Sequence, residues 1–156
     1  MTVQILVAFD DSENAMRAVE CVSRAFAPST AVTLFHVSLD SEALCNLNSP
    51  ELTPYFRSQQ STFCTMEDKK RDLVQSAMQK AVSVLTSVGF SEKQIQSRVR
   101  RQKKSVAKDI LDEARSGYDM VVMGRKGISS LGDYFMGSTS QKVLNGAEGL
   151  SVLIVR

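Results

Sequence analysis

Short apolar runs alternate along this chain with longer stretches whose apolar residues recur at helical spacing, and this alternation constrains the fold most. Residues 3–9 form an apolar, partly β-branched run, and the stretch after it places Ala15, Ala18 and Val22 on one helical face. Uncharged, mainly apolar runs of this length are typical of strands covered on both faces, as in a parallel sheet. The pattern therefore predicts an α/β fold with helices on both faces of the sheet.

The alternation continues to the last residues, and 156 residues suit one domain, residues 1–156. Residues 38–65 are polar and contain Pro50 and Pro54, which predicts a largely irregular insertion with a short helix at most. Its role stays open between a ligand cover, a partner surface and a variable loop. Ser12 or Asp11, and later Ser105, are predicted helix caps. The predicted strands are residues 3–9, 32–37, 95–99, 119–123 and 152–155. The clearest helical stripe, closed by Gly89, is Leu73, Ala77, Ala81, Val84, Leu85 and Val88.

Composition excludes several classes of protein. With 43% hydrophobic and 23% charged residues, the chain is not predicted to be disordered, and a net charge of +2 does not indicate nucleic-acid binding. No apolar run approaches the ~20 residues that cross a membrane. The first apolar run lacks a preceding basic residue and is followed by acidic ones, unlike a signal peptide. We therefore expect a cytoplasmic protein.

The three cysteines, Cys21, Cys45 and Cys64, form no CxxC pair. An odd number of cysteines in a chain expected to stay in a reducing compartment predicts free thiols.

Ligands of open parallel sheets bind beyond the carboxyl ends of the strands. Three segments fall there: residues 9–12, 36–38 and 123–127. The last opens a loop with glycines, hydroxyls, Arg125 and Lys126, which leads into a helix. Glycines, hydroxyls and a helix N-terminus are typical of anion sites. The alternative is that these glycines only make turns and the hydroxyls only cap the helix. Neither GxGxxG after the first strand nor GxxxxGK[ST] is present.

The loop does match the pattern G-x2-G-x9-G-[ST], through Gly124, Gly127, Gly137 and Ser138. Together with Asp-x-Ser after the first strand, His-Val ending the second, Val-Val-Met-Gly in the fourth and Val-Leu-Ile-Val-Arg at the end, the chain resembles the universal stress protein family in its ATP-binding branch. The resemblance implies a Rossmann-like, adenine nucleotide alpha hydrolase-like domain with sheet order 3-2-1-4-5. It also implies a homodimer joined through residues 152–155, and bound ATP, ADP or AMP.

The same resemblance implies roles for individual residues. Asp10, with Ala8 and Phe9 before it, would contact the ribose or adenine side, and Val37 would hold adenine through its backbone. Met123 and Gly124 would line the floor of the site. The phosphates would be held by the remaining residues of the set: Gly127, Gly137, Ser138 and Thr139, with Arg125, Lys126 and Ser140 nearby.

Asp11 departs from the family pattern, which often has glycine there. Asp10 and Asp11 are also candidate ligands for a phosphate-bound Mg²⁺, and the alternative is helix capping with solvated neighbours. The single histidine, His36, lies within a strand and is not predicted to be catalytic. A basic segment, residues 98–104, indicates either a solvated sheet edge or an anion-steering surface.

The sequence predicts a cytoplasmic, ATP-binding regulatory dimer of the stress response. Two alternatives remain open: a slow Mg-dependent ATP hydrolase, and an adaptor of the same fold that binds no nucleotide. A nucleotide that copurifies with the protein would support the regulatory dimer or the hydrolase and would exclude the adaptor.

Overall fold

The sheet of this protein is parallel and places β1 at its centre. The computed structural model describes residues 1–126 and 136–156. The strand order is β3-β2-β1-β4-β5, which confirms the predicted α/β fold and sheet order. The strands are β1 (Gln4–Ala8), β2 (Ala31–Ser38), β3 (Ile95–Arg101), β4 (Met120–Gly124) and β5 (Ser151–Val155). The helices are α1 (Glu13–Ala25), α2 (Glu42–Cys45), α3 (Pro54–Ser87), α4 (Val106–Ala114) and α5 (Ser138–Gly146).

Alternate residues of each central strand enter cores on opposite faces of the sheet. Ile5 and Val7 pack with α1 and α3, whereas Leu6 packs with α4 and α5. All three side chains are fully buried. Burial on both faces explains why β1 reads as a continuous apolar run rather than an alternating one.

Two predicted helix caps are confirmed. The Ser12 hydroxyl accepts a hydrogen bond from the Ala15 N–H and begins α1, and the Ser105 hydroxyl accepts one from the Lys108 N–H and begins α4. Each cap satisfies an amide that the first helical turn leaves without a partner.

The prediction that residues 38–65 are largely irregular is wrong, because α3 already begins at Pro54. Thr53 caps the helix by accepting from the Phe56 N–H, and proline is favourable in a first helical turn. The buried residues of α3 all lie in its second half, from Val74 onward. The first half therefore carries no apolar stripe, the signal from which a helix is predicted.

The buried face of α3 also differs from the predicted stripe. Val74, Met78, Ala81 and Leu85 are buried, whereas Leu73 is 57% exposed. Adjacent helical positions point about 100° apart, so a stripe started one residue early faces partly toward solvent. The glycine that ends the helix was predicted correctly: Gly89 has a φ of 103°, in the left-handed region.

The prediction of three free thiols is wrong for two of them. Cys45 of α2 and Cys64 of α3 form a disulfide with a Cα–Cα distance of 5.9 Å, and Cys21 remains free. The pairing depends on α3 beginning early enough to place Cys64 beside α2, which the sequence pattern did not indicate. None of the helices in the described part of the chain is long and apolar enough to cross a membrane.

The basic segment is paired with carboxylates instead of forming an open cationic patch. Arg98 and Arg100 both contact Glu113 of α4, whose side chain is 3% exposed. Arg101 contacts Glu42 of α2, and Lys104 Nζ lies 2.8 Å from Asp112 Oδ2. These ion pairs favour the interpretation of the segment as a charged sheet edge over anion steering.

Candidate functional site

A cleft of about 450 Å³ opens where the carboxyl ends of β1, β2 and β4 meet the N-terminus of α5. From β1 the chain builds the sheet outward through β2 and β3, and then crosses to the other side of β1 to form β4 and β5. The cleft therefore lies at the switch point of the sheet. Most residues that the sequence proposed for a site line this cleft: Ala8, Phe9, Asp10, Val37, Met123, Gly124, Lys126, Gly137, Ser138, Thr139 and Ser140.

Three proposed residues do not join that group. The Arg125 N–H donates to the Val155 carbonyl at 2.8 Å, and its own carbonyl accepts from the Gly137 N–H, so its backbone ties β5 to the start of α5. Asp11 follows the cleft residue Asp10 but is not part of the wall. Gly127 lies outside the described residues.

One end of the cleft is apolar. Phe35 and Ile110 are buried there, and Ala8, Val37 and Val106 complete the wall. The sequence had proposed Ala8 and Val37 but not Phe35, Val106 or Ile110. Strand β2 and helix α4 bring these side chains together, and they are adjacent neither in sequence nor in any motif. This end can accept a flat apolar group.

Asp10 provides a carboxylate beside the apolar end. Its Oδ1 accepts a hydrogen bond from the Ser12 N–H at 2.9 Å, which fixes the side chain at the entrance to α1. Asp11 Oδ1 is buried without a hydrogen-bond partner among the described residues. In the same part of the chain, no group of three or more histidine, cysteine or acidic side chains is placed to hold a metal ion.

The other end of the cleft is the N-terminus of α5, with Gly137 as the cap residue. Unpaired N–H groups and the positive end of the helix dipole favour an anion there. Ser138, Thr139 and Lys126 contribute hydroxyls and an ammonium to the same wall. Ser140 is used differently, since its buried hydroxyl donates to the Gly124 carbonyl at 2.8 Å and joins α5 to β4.

Gly124 is required by packing at the end of β4. A Cβ atom at this position would lie 2.7 Å from both the Cβ and the carbonyl oxygen of Asn14 in α1. Contacts this short with backbone are not relieved by side-chain rotation. The first glycine of the sequence motif therefore allows α1 to approach β4, independently of any ligand.

His36 and Lys70 line the cleft although the sequence assigned neither to a site. His36 is buried, and its Nδ1 lies 2.8 Å from the Phe9 carbonyl oxygen. Burial lowers the pKa of His36, and the positive charge of Lys70 also lowers it, against the raising effects of the Phe9 hydrogen bond and of the Asp10 and Asp11 carboxylates. Lys70 belongs to the half of α3 that carries no apolar stripe, so no sequence signal placed it here.

The family follows from the sequence as a whole, because residues 1–156 match the profile of the universal stress protein family. The chain belongs to the universal stress protein family. No curated protein matches it. Among solved structures, the universal stress protein UspA from Lactobacillus plantarum is 22% identical, with a TM-score of 0.69 over 99% of this chain and 97% of that one.

Two further solved structures share the fold. The hypothetical protein MJ0577 is 21% identical, with a TM-score of 0.67 over 99% of this chain and 96% of that one. A universal stress protein crystallised in complex with cAMP is 16% identical, with a TM-score of 0.60 over 99% of this chain and 97% of the other. At these identities the likeness establishes the universal stress protein fold.

Proposed function

We propose that this universal stress protein binds an adenine nucleotide, with ATP as the ligand the cleft suits best, and acts as a cytoplasmic, nucleotide-dependent regulatory dimer in the stress response. The observation that carries the proposal is that one cleft brings together apolar side chains, a fixed carboxylate, and a helix N-terminus with hydroxyls and a lysine. Base, ribose and phosphates are bound by groups of these three kinds. A relative with the same fold has been crystallised with cAMP.

In this proposal adenine lies against Phe35, Ile110 and Val37, and the Asp10 carboxylate accepts a hydrogen bond from a ribose hydroxyl. The phosphates approach the amides of Ser138 and Thr139, with Gly137 and Lys126 beside them. A cleft of about 450 Å³ is within the range that small-molecule ligands occupy. On the resemblance alone, Gly127 remains a proposed phosphate-binding residue and Arg125 a proposed neighbour of the phosphates. Met123 and Gly124 form the floor of the site, and Ala8 and Phe9 lie on the ribose or adenine side.

A magnesium ion would enter with the phosphates rather than occupy a protein site of its own. Asp10 lines the cleft and is the carboxylate placed to meet such an ion. Asp11 does not line the cleft and is proposed as a second ligand only from its position next to Asp10 in the sequence. Mg²⁺ would neutralise phosphate charge next to these carboxylates.

The dimer is proposed to form through β5, which is an edge strand of the sheet. Residues 152–155 are apolar and partly exposed, and a second copy would cover them and the unpaired edge. Val152→Lys adds a charge to this edge at a residue outside both hydrophobic cores. We expect it to give a monomer in analytical ultracentrifugation, whereas Val88→Lys, at an exposed residue after α3, leaves a dimer. A wild-type monomer overturns this part of the proposal.

We also propose that residues 1–156 form one universal stress protein domain in which 38–65 is an insertion. Both hydrophobic cores lie against the same five-stranded sheet, which supports this division.

The binding proposal is tested with Ser138→Asp. A carboxylate at the N-terminus of α5 suits the helix dipole, so the variant should fold, but it repels phosphate. Ser91→Asp makes the same change at the cap of the 3₁₀ turn Glu92–Gln94, at the opposite edge of the sheet. By calorimetry we expect wild type and Ser91→Asp to bind ATP and Ser138→Asp to bind it at least tenfold more weakly. Equal ATP affinity of all three proteins would exclude the site.

A further inference from the structure

A second cavity, of about 1210 Å³, lies between α3 and β3 and borders the cleft. His36 and Lys70 lie on the walls of both cavities, so the two spaces meet at these side chains. A mononucleotide requires only the first cavity. The volume of the second cavity exceeds the range of about 300–1,000 Å³ typical of small-ligand pockets.

The wall of the second cavity combines an apolar part with polar and charged side chains. Val99 of β3 is 57% exposed on one wall, and Val74 and Met78 of α3 lie on the other. The amide of Gln75 and the hydroxyl of Ser97 are on the same walls. An apolar surface with an amide and a hydroxyl nearby suits an uncharged heterocycle better than an ion.

The charged residues around this interior largely neutralise one another. Arg71 pairs with Asp68 at 3.5 Å, and Arg101 pairs with Glu42. Lys70 is different, because it makes no ion pair with any residue that the structure describes. A lysine that makes no ion pair with the described residues therefore marks the junction of the two cavities, where it would attract an anionic group of a ligand.

We propose that the protein binds dinucleoside polyphosphates, in which two nucleosides are joined through their 5′ phosphates. The first nucleoside occupies the cleft, the phosphate chain runs from the N-terminus of α5 to Lys70, and the second nucleoside stacks between Val99 and α3. This inference rests on the proposed nucleotide site and extends it to a class of larger ligand.

The test compares ligands that differ only in the second nucleoside. Diadenosine 5′,5‴-tetraphosphate and adenosine 5′-tetraphosphate carry the same number of phosphates, and ATP serves as the reference ligand. We expect the diadenosine compound to bind the wild-type protein about tenfold more tightly than adenosine tetraphosphate, since the second base would bury apolar surface against Val99, Val74 and Met78.

Val99→Trp fills the second cavity from an exposed position on an edge strand, where a large aromatic residue suits the backbone. It should remove the tenfold advantage and leave ATP affinity unchanged. Val88→Trp, exposed after the end of α3, is the matched control and should bind all three ligands as wild type does.

Lys70→Gln tests the junction. We expect it to weaken diadenosine tetraphosphate at least fivefold, whereas Lys69→Gln, which removes the same charge from a neighbouring residue outside both cavities, should have no effect. If ATP binds but the diadenosine compound has no advantage, or keeps its advantage in Val99→Trp, the inference is wrong and the nucleotide site stands. If no nucleotide binds to the wild-type protein, the proposed function fails, and this inference fails with it.

Discussion

His36 Nδ1 lies 2.8 Å from the backbone carbonyl oxygen of Phe9 and joins the ends of β2 and β1 beneath the cleft. A carbonyl oxygen only accepts hydrogen bonds, so Nδ1 carries the proton and, in the neutral ring, Nε2 is the acceptor. Burial lowers the pKa of this imidazole below its ordinary value of 6.5. The folded protein therefore holds a neutral histidine in a position where the charged form is unfavourable.

This arrangement predicts a pH dependence of stability. Because the folded pKa of His36 lies below the unfolded one, the unfolded chain binds the proton more readily. The stability that neutral His36 contributes to the folded protein is fully present above pH 6.5 and is lost as the pH falls through the lowered pKa. The chain has one histidine, so urea unfolding between pH 7.5 and 5 reports on this residue. His36→Asn retains a side-chain hydrogen-bond donor, and its free energy of unfolding should depend less on pH than that of the wild-type protein. An equally steep pH dependence in the variant would show that His36 is not its source.

Glu113 is expected to contribute to stability through its two arginines. Its carboxylate is 3% exposed between Arg98 and Arg100, and Glu113→Gln leaves both guanidinium groups without a counter-charge. Because the arginines are 46% and 34% exposed, we expect a loss of about 1–3 kcal/mol in the free energy of unfolding, below the cost of breaking a fully buried pair. Asp112→Asn removes a carboxylate from an exposed ion pair with Lys104 and should change the free energy of unfolding, measured by chemical denaturation, only slightly. Equal effects of the two variants would show that burial of Glu113 does not matter.

The central strands were predictable because burial on both faces of a parallel sheet leaves a local signature. The interior runs around Ile5, Val121 and Val122 contain this signature in consecutive residues. Helix α3 was only partly predictable, since its first half buries no side chain of its own and its existence depends on capping at Thr53. The start of α3 is set by a capping hydrogen bond at Thr53, and a hydrophobic pattern carries no information about such a bond.

The residues of the candidate site also fall into those that the sequence could predict and those that it could not. Asp10, Gly137 and Ser138 directly follow a strand or begin a helix, so the topology alone brings them to one edge. Lys70 and Ile110 reach the cleft from the bodies of helices, and their placement depends on how α3 and α4 pack on the sheet. A family motif identifies residues of the first kind and omits those of the second.

Reduction of the disulfide should release α2. This helix has no buried residues, and Cys45–Cys64 ties it to α3 together with hydrogen bonds such as the one that Gln60 Nε2 donates to the Leu44 carbonyl. A dithiol reductant supplies two electrons and two protons, so the S–S bond becomes two thiols and the reductant closes to its own disulfide. A cross-link over 19 residues constrains the open chain by roughly 3 kcal/mol. We expect faster limited proteolysis within residues 46–53 after reduction, confirmed by mass spectrometry of the fragments.

Cys21→Ser is the control for that experiment, because it removes the free thiol and keeps the disulfide. The protease should cleave Cys21→Ser at the rate of the oxidised wild-type protein, and Cys45→Ser at the rate of the reduced wild-type protein. Identical cleavage of oxidised and reduced protein would mean that hydrogen bonds and ion pairs hold α2 without the disulfide.

Gly124→Ala separates the structural from the ligand-binding role of the motif glycine. The added methyl would lie 2.7 Å from the Asn14 carbonyl oxygen, which belongs to the backbone of α1 and moves only if the helix shifts away from β4. We expect a loss of about 1–3 kcal/mol in the free energy of unfolding, measured by urea denaturation without nucleotide. Gly146→Ala makes the same change against the end of the flexible Leu111 side chain, 2.6 Å away, which can rotate, and should cost less. If Gly124→Ala instead keeps full stability and loses only ATP binding, the glycine serves the ligand and not the packing of α1.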